Sequence, residues 1–469
     1  MMDSPNAAAV IGILQRHDAM VARRRPWEEH WSQVARRVLP RADNFQRVHS
    51  PGDRRTEYIT DSTAPMALGK FTAGMIGLSA PRQTMWHGLQ ASDRRWADGK
   101  IDVKRWFEDA TATLFQYRYA STSGFETRYQ ETIQNLGAFG TGPMWVEDDV
   151  GRGVIYQAFD LSEIYVASDK YGRIDTVSRC FEYNARQAAQ RWGKDALPEA
   201  MKVALANNND RMFEFLHFIA PREDWDPERA DFKGMRWSST YIAMEAKVIL
   251  SEGGYHSMPM PVARYVTAAR EDYGRSVAME CLPDIKMVNE MAKTMIRAGH
   301  RAVDPPLNVA EDGVLSKLAM RPGAINVGGL SPNGTHLVAP IPMGGDLNFG
   351  GNLLEASRGV IKEAFLVTVF QMLAERGGDR MTATEVLERI QEKGVLLAPA
   401  VARIETELLG PIIEREVDIL SRAGRLPPMP PALRDYLAQG GEYHIVYDNP
   451  MSRAAKMEQV TGFYRTLQQ

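Results

Sequence analysis

The feature that most constrains this fold is a pair of long helical segments that flank a stretch rich in proline and glycine. The first helix is predicted to open at Tyr273-Gly274-Arg275-Ser276 and to run to about residue 302, and the second covers about 348–373. Between them, residues 303–345 carry short β-type runs, 324–327 and 336–339, separated by turn residues. The pattern predicts a small β module inserted between two helices.

The first of these helices presents two different faces. One face carries cations at spacings of three and four, with Glu290 between them, where it can pair with Lys286 or Lys293. The opposite face is rich in small and pliable apolar side chains, which permit close approach of another helix. We therefore predict that it packs against a neighbouring subunit. The cationic face consists of Lys286, Lys293, Arg297 and Arg301, and the apolar face of Val288, Met291, Ala292, Met295 and Gly299.

Helices dominate the first part of the chain and strands the middle. A helix over 7–39 is predicted to break near Pro26, because proline lacks the amide hydrogen that a helix interior needs. Residues 143–268 favour β-structure and include a hairpin at 144–156. Further helices are predicted at about 63–78, 102–119 and 124–137, and further strands at 164–166, 211–219, 237–242 and 247–251.

A long helix is predicted near the carboxyl terminus. Thr382-Ala383-Thr384-Glu385 has the spacing of a capping box, which marks a helix start. An apolar stripe then continues to about residue 423, but Gly394, Pro399 and Gly410-Pro411 interrupt it, so the helix must kink. Together these patterns predict an α+β fold.

Length, charge and cysteine content narrow the class of protein. A chain of 469 residues is too long for one ordinary domain. Its formal net charge is −3, whereas a protein that binds nucleic acid tightly usually has an excess of basic residues. Cys180 and Cys281 have no metal-ligand spacing, so neither a disulfide framework nor a zinc site is expected. No apolar run reaches the ~20 residues that cross a bilayer, and the first residues do not read as a secretory signal. These features favour the cytoplasm or a particle assembled there.

No familiar catalytic or nucleotide-binding motif is present. Gly69-Lys70-Phe71 lacks the spacing and the hydroxyl of a phosphate loop, and neither H-E-x-x-H nor G-x-S-x-G occurs. The glycine-rich stretch 137–142 follows a helix and precedes a strand, which predicts a structural turn. Glu147, Asp148 and Asp149 could form the metal cluster of a nuclease, but a charged hairpin turn explains them better. We therefore expect no cofactor, no metal and no enzymatic activity.

Several segments, taken in order, resemble the head-to-tail connecting (portal) family of short-tailed, podovirus-type bacteriophages. Each segment is weak alone, and their order and spacing make the match specific over about residues 10–460. The segments are Pro26-Trp27, Met85-Trp86, Glu271-Asp272-Tyr273-Gly274-Arg275-Ser276, Leu282-Pro283-Asp284-Ile285-Lys286, Asn289-Glu290, Asp304-Pro305-Pro306-Leu307 and Arg380-Met381-Thr382-Ala383-Thr384-Glu385-Val386.

The resemblance implies the phage portal fold, a ring-forming subunit with named modules. Residues 271–302 and 346–372 would be the two helices of a stem, and 303–345 a small β clip between them. Residues 373–381 would be a tunnel loop that leads into a long kinked wing helix. The remaining modules would be the wing at 1–270, the wing helix at 382–424 and a C-terminal wing or crown remnant at 425–469, where family members often carry a longer crown.

The resemblance also implies a function and partners. A ring of about twelve copies would occupy one capsid vertex, form the channel for genome packaging and ejection, and dock the packaging motor and the tail. The partners would be further copies, the terminase large subunit, major capsid and scaffolding proteins, tail adaptor and nozzle proteins, and passing double-stranded DNA, with no membrane. The protein would reside in the virion at the head–tail junction, and in the host cytoplasm during assembly. Alternatives are another virion structural protein, such as a tail adaptor or minor capsid protein, and a metal-dependent nuclease.

Two loops carry further predicted site residues. The tunnel loop should touch DNA in the channel, because its cations attract phosphate, its acids repel it, and its two glycines supply conformational freedom. The Asn333-Gly334 turn of the clip should help to dock the motor, since loops shaped by proline and glycine suit a presented binding surface. The predicted tunnel-loop residues are Glu375, Arg376, Gly377, Gly378, Asp379 and Arg380.

Overall fold

The computed structural model combines helices with antiparallel sheets, which confirms the predicted α+β class. Among its helices none is both long and apolar enough to cross a membrane, within the part of the chain that the structure describes. The described residues are 5–46, 50, 52–309, 319, 321, 323–325, 327, 329–331, 333–341, 347–374 and 397–448.

The chain opens with one continuous helix, α1 (Pro5–Val38), which runs through Pro26. The predicted break is therefore wrong. Arg24, beside the proline, is buried and donates a 2.7 Å hydrogen bond to the carbonyl of Ile164. Beyond the proline, Trp31 is fully buried and its indole nitrogen donates to a main-chain carbonyl at 3.0 Å. Because both sides of the proline are anchored, packing outweighs the missing backbone hydrogen bond.

Helices that follow α1 build the main hydrophobic core with it. The predicted helices at 63–78, 102–119 and 124–137 are confirmed, with ends displaced by at most two residues. Fully buried side chains at their contacts include Phe71 and Ile133. The elements in this part are α2 (Thr63–Ser79), β1 (His87–Ala91), α3 (Arg94–Ala97), α4 (Ile101–Arg118) and α5 (Phe125–Phe139).

The glycine-rich stretch 137–142 is the turn from α5 into strand β2 (Thr141–Asp149), as predicted. Gly140 ends the helix in the left-handed conformation, with φ of 75°, and its amide donates to the carbonyl of Leu136 at 2.9 Å. A Cβ at this position would lie 2.3 Å from the carbonyl oxygen of Gly274. Backbone geometry thus accounts for this glycine.

Two antiparallel sheets form the middle of the chain. β2 pairs with β3 (Gly153–Ala158), which confirms the predicted hairpin, and also with β9 (Val262–Arg264). The larger sheet has five strands in the order β4-β5-β6-β7-β8, and it includes all of the strands predicted from 164 to 251. Its strands are β4 (Ile164–Ser168), β5 (Ile174–Asn184), β6 (Met212–Pro221), β7 (Trp237–Ala243) and β8 (Val248–Tyr255).

Two helices interrupt this β-rich part and were not predicted. They are α6 (Ala185–Trp192) and α7 (Glu199–Ala206), and they cover one end of the larger sheet around the buried ring of Phe215. Asn184 and Gln187 form a reciprocal capping box at the start of α6. The three-residue spacing of Asn184 and Gln187 can be recognised in the sequence, and it is the signal from which the start of α6 could have been predicted.

The segment 271–276 does not open a helix directly, which corrects the prediction. The segment bends at residues 272–273, the Gly274 amide donates to the Thr141 hydroxyl at 3.0 Å, and Arg275 forms a β-bridge with Val266, so its end is extended against the glycine turn. Ser276 then caps the one-turn helix α8 (Val277–Glu280), and α9 (Leu282–Val303) follows with Pro283 in its first turn, where proline is tolerated.

A small antiparallel pair lies between α9 and α10 (Leu347–Ala364), so β-structure is present in the insert, but only the predicted run at 336–339 contributes a strand and the predicted strand at 324–327 is wrong. Its strands are β10 (Leu307–Val309) and β11 (Val338–Pro340), and the described residues of 324–327 lie outside strands. The second long helix, however, is broken after α10. Leu366 takes a φ of 54° so that its buried neighbours Phe365 and Val367 both reach the core, and α11 (Val367–Ala374) starts anew.

After the undescribed residues 375–396 come α12 (Ala398–Ile404), a π-helical turn (Glu405–Leu409) and α13 (Gly410–Arg422). Pro399 lies in the first turn of α12, so it starts a helix instead of kinking one. Gly410-Pro411 is accommodated by the wider π-helical turn, because proline cannot donate to the preceding turn. Gly394 and the capping box at 382–385 lie outside the described residues. The described chain ends with α14 (Pro431–Ala438) and β12 (Tyr443–Tyr447), which pairs with β1.

Candidate assembly surface

Helices α9 and α10, with the described residues of the β insert between them, form an arm (282–364) that leaves the body of the protein. On α9, no residue after Ala292 is buried, and on α10 the first buried side chain among those described is Leu354. The part of α9 beyond Ala292, eleven residues from Lys293 to Val303, is about 16 Å long at 1.5 Å per residue. The two helices contact each other along the arm, and the glycine at 350 leaves room for the Met295 sulfur.

The apolar face of α9 is only partly available to a neighbouring subunit. Val288 and Ala292 are buried inside the chain, because the base of the arm packs on the body, which leaves them no surface for another copy. That part of the expected inter-subunit face is corrected. Met291, Met295 and Gly299 are half-buried and remain candidates for the contact.

Exposed apolar side chains are concentrated on the arm. Of the 23 large apolar side chains that are exposed in the described part of the chain, 11 lie between Met287 and Val360. A groove of about 320 Å³ runs along α9 beside α10, lined by Met287, Met291, Met295, Thr294, Glu290 and Gly350. On α10, a stripe at helical spacing is exposed: Phe349 (69%), Leu353 (47%) and Val360 (49%). Sequence reasoning missed this stripe, although the spacing of four and seven residues signals it.

The cationic face of α9 divides into a docked part and a free part. Lys286 donates to the side-chain oxygen of Gln33 on α1 at 2.5 Å. Lys293, Arg297 and Arg301 are exposed and form no ion pair with any described residue. Glu290 pairs with neither Lys286 nor Lys293, which corrects that expectation. An exposed strip of positive charge therefore runs along the outer half of the helix.

Of the two loops with predicted site residues, the Asn333-Gly334 turn is described by the structure and the tunnel loop is not. Asn333 and Gly334 lie in a tight turn in which the Gly334 amide donates to the carbonyl of Ser331 at 2.9 Å and Gly334 has a φ of 79°. Asn333 is exposed at the tip of this turn. The tunnel-loop residues 375–380 lie outside the described residues.

The acidic triplet proposed as a nuclease site does not converge. Glu147, Asp148 and Asp149 are consecutive on β2, so their side chains alternate between the two faces of the sheet. The Glu147 carboxylate accepts a 3.0 Å hydrogen bond from the indole of Trp145. Across the described residues, no group of three or more histidine, cysteine or acidic side chains is arranged to hold a metal ion.

The chain matches known proteins over most of its length. The family model of the bacteriophage head to tail connecting protein matches residues 12–469. A probable portal protein of Bordetella phage BPP-1 is 28% identical over 451 residues, and the portal protein of Salmonella phage epsilon15 is 26% identical over 466 residues; each alignment covers 95% of this chain and 79% of the relative. A chain in the neck of an empty gene transfer agent particle is 14% identical, with 92% of this chain and 94% of that chain covered and a TM-score of 0.44. Because the family model spans nearly the whole sequence, this chain belongs to the family of bacteriophage head to tail connecting proteins.

Proposed function

We propose that this chain is a portal subunit, whose copies close into a ring of about twelve at one vertex of the virion capsid. The ring would be the channel through which the genome is packaged and ejected, and the docking point for the motor and the tail. The observation that supports this proposal best is the arm. A monomer rarely exposes so many large apolar side chains on one projecting element, and such patches mark surfaces that another protein covers.

The arm carries two apolar surfaces that differ from each other, as a head-to-tail ring requires. In a cyclic assembly each subunit presents one patch to the neighbour on its left and another to the neighbour on its right. We propose that the α10 stripe, Phe349, Leu353 and Val360, packs into the α9 groove of the next copy, where Met291 and Met295 lie. Methionine side chains adapt their shape readily, which suits a groove that receives an aromatic ring.

Charge substitution on the stripe tests this contact. The double variant Phe349→Glu/Leu353→Glu should fold but remain monomeric, because two carboxylates would have to be buried unpaired in the interface. Ile101→Glu is the matched control: Ile101 is 77% exposed at the start of α4, where an acidic side chain is tolerated. The measurement is the mass of the native protein. If the double variant assembled as the unmodified chain does, this surface would not be the ring contact.

The genome path is proposed to run past the free cations of α9 and the tunnel loop. From Lys293 to Arg301 the free cations extend over about 12 Å of helix. The tunnel loop mixes Arg376 and Arg380 with Glu375 and Asp379, a balance that lets duplex slide, since each firm phosphate contact adds affinity. Arg376→Glu/Arg380→Glu should leave rings intact and reduce DNA packaging or retention. A full-length genome, packaged at normal rate and held stably, would contradict this role.

The β insert is proposed as the docking surface for the packaging ATPase, the terminase large subunit, and later for tail adaptor and nozzle proteins. The chain has no nucleotide-binding motif, so the energy of packaging would come from that separate ATPase. Substitution of Asn333 and Gly334 should preserve rings and lower packaging. Normal packaging after removal of the whole insert, 303–345, would refute this assignment.

The remaining modules complete the proposal. Residues 1–270 and 382–424 would form the wing, which would face the capsid and scaffolding proteins, 271–302 and 346–372 the stem, 373–381 the tunnel loop and 425–469 a wing or crown remnant. The role is structural and not enzymatic, in a particle that assembles in the host cytoplasm and retains the ring in the virion. Purified protein that hydrolysed DNA in a divalent-metal-dependent way would argue against this reading.

A further inference from the structure

A short loop before α2, residues 60–62, lies where the arm leaves the body of the protein. The last buried residue of α9 is Ala292, and the first buried side chain among those described on α10 is Leu354. The loop contacts α9 at Asn289, three residues before Ala292, and it contacts α10 at Arg358, four residues after Leu354. It therefore touches both helices at their point of emergence.

The contact to α9 is made through a buried asparagine. The side-chain oxygen of Asn289 accepts hydrogen bonds from the amides of Thr60 (2.8 Å) and Asp61 (3.1 Å). The Thr60 hydroxyl donates to the main-chain carbonyl of Asn289 at 2.5 Å. Asn289 is 6% exposed, so these bonds are shielded from competing water.

The contact to α10 is made through a buried carboxylate. One oxygen of Asp61 accepts from the Arg358 guanidinium at 2.9 Å (Nε) and 2.7 Å (Nη2), and the other accepts from the Thr63 amide at 2.9 Å, where α2 begins. The Asp61 side chain is 4% exposed. Burial alone would raise the pKa of Asp61, but hydrogen bonds from Thr63 and Arg358 hold it below its ordinary value. The charged carboxylate of Asp61 binds α10 and the start of α2, and the Asp61 amide binds Asn289 of α9, so this one residue joins three helices.

We propose that Thr60, Asp61, Asn289 and Arg358 form a latch that fixes the angle between arm and body, and thereby the number of copies that close the ring. The inference rests on the proposed ring. Closure depends on the rotation between neighbours, and near a ring of about twelve one extra copy changes that rotation by only about 2°. The arm supplies the contact to the neighbour, so a tilt of a few degrees at its base is enough to change the copy number.

The test is the variant Asp61→Asn in the full chain. The asparagine oxygen can still accept from Thr63, but the charge that binds Arg358 is lost. Native mass measurement should then give rings of more than one copy number, or open assemblies, where the unmodified chain gives one. Amide hydrogens at the base of α9 and α10 should exchange roughly tenfold faster or more, with those of α5 unchanged. Should this variant fail to fold, Arg358→Lys keeps the charge, loses the two-point geometry and carries the same expectation.

The matched control is Glu355→Gln. It removes the other, exposed partner of Arg358, at 3.2 Å and 62% exposed, without touching the loop, and it should behave as the unmodified chain does. The latch is overturned if Asp61→Asn gives the same single copy number and the same exchange rates as that chain. If the unmodified chain forms no rings, the proposed function fails instead, and the exchange rates at the base of the arm decide on the latch alone.

Discussion

Replacing Glu416 by Gln should destabilise the protein more than almost any other single substitution that conserves side-chain shape. Glu416 on α13 and Arg118 on α4 are 1% and 0% exposed as side chains and form a two-point ion pair, with Nε to Oε1 at 2.9 Å and a second bond from Nη2. The Tyr156 hydroxyl on β3 also donates to this carboxylate. Burial by itself would lower the pKa of Arg118, but Glu416 raises it above its ordinary value.

The expected loss follows from what the substitution leaves behind. The amide keeps the volume but removes the negative charge, so a fully buried guanidinium loses its counter-ion. Breaking a buried pair from one side costs about 3–5 kcal/mol. Since a folded domain is stable by only about 5–15 kcal/mol, the midpoint of urea unfolding, followed by tryptophan fluorescence, should shift far to lower denaturant.

Two comparisons make this prediction specific. Glu245→Gln breaks the exposed pair with Arg211, whose side chains are 55% and 54% exposed, and should cost less than about 1 kcal/mol. The double variant Arg118→Met/Glu416→Leu should recover much of the loss, because it leaves no buried charge unpaired. If Glu416→Gln cost no more than Glu245→Gln, the reasoning about buried charge would be refuted.

Three further predictions concern the body of the protein. Burial lowers the pKa of His87 and His217 well below the ordinary value, so only the unfolded chain takes up protons as the pH drops below about 6.5. The free energy of unfolding should therefore fall below that pH by up to about 1.4 kcal/mol per pH unit for each histidine. In denaturant titrations between pH 7 and 5.5, His217→Gln should flatten this slope, and a flat profile in the unmodified chain would contradict the prediction. Gly140→Ala should cost about 2 kcal/mol or more in thermal unfolding, because its Cβ would press on the carbonyl of Gly274 at a positive φ, and an unchanged melting temperature would rule this out. Tyr447→Phe should cost about 1 kcal/mol, because its hydroxyl donates at 2.8 Å to the carbonyl that opens the π-helical turn, and no loss would mean that this bond is not needed.

Local patterns sufficed to predict most elements of the fold. The hairpin at 144–156 was predicted because alternation and turn residues act over a few positions, and the glycine turn at 137–142 because helix and strand patterns flank it. The continuity of α1 through Pro26 could not be predicted, since Arg24 is anchored on Ile164, 140 residues away. For the same reason the break at Leu366 was missed, because it depends on which neighbours reach the core.

The candidate site was predicted only in part. The cationic face of α9 follows from helical spacing alone, and its outer residues are indeed exposed. Which apolar residues remain free for another copy depends on how the base of the arm packs, and Val288 and Ala292 are covered by the chain itself. The bonds between Thr60 and Asn289 join residues 229 apart in the sequence, a distance over which no local pattern operates.

The central claim is that this chain closes into a ring with a channel, and imaging of the purified full chain tests it most directly. Electron micrographs, with native mass measured on the same sample, should show closed rings of about twelve copies around a central hole. Monomers and dimers alone, at every protein concentration and salt concentration tried, would contradict it.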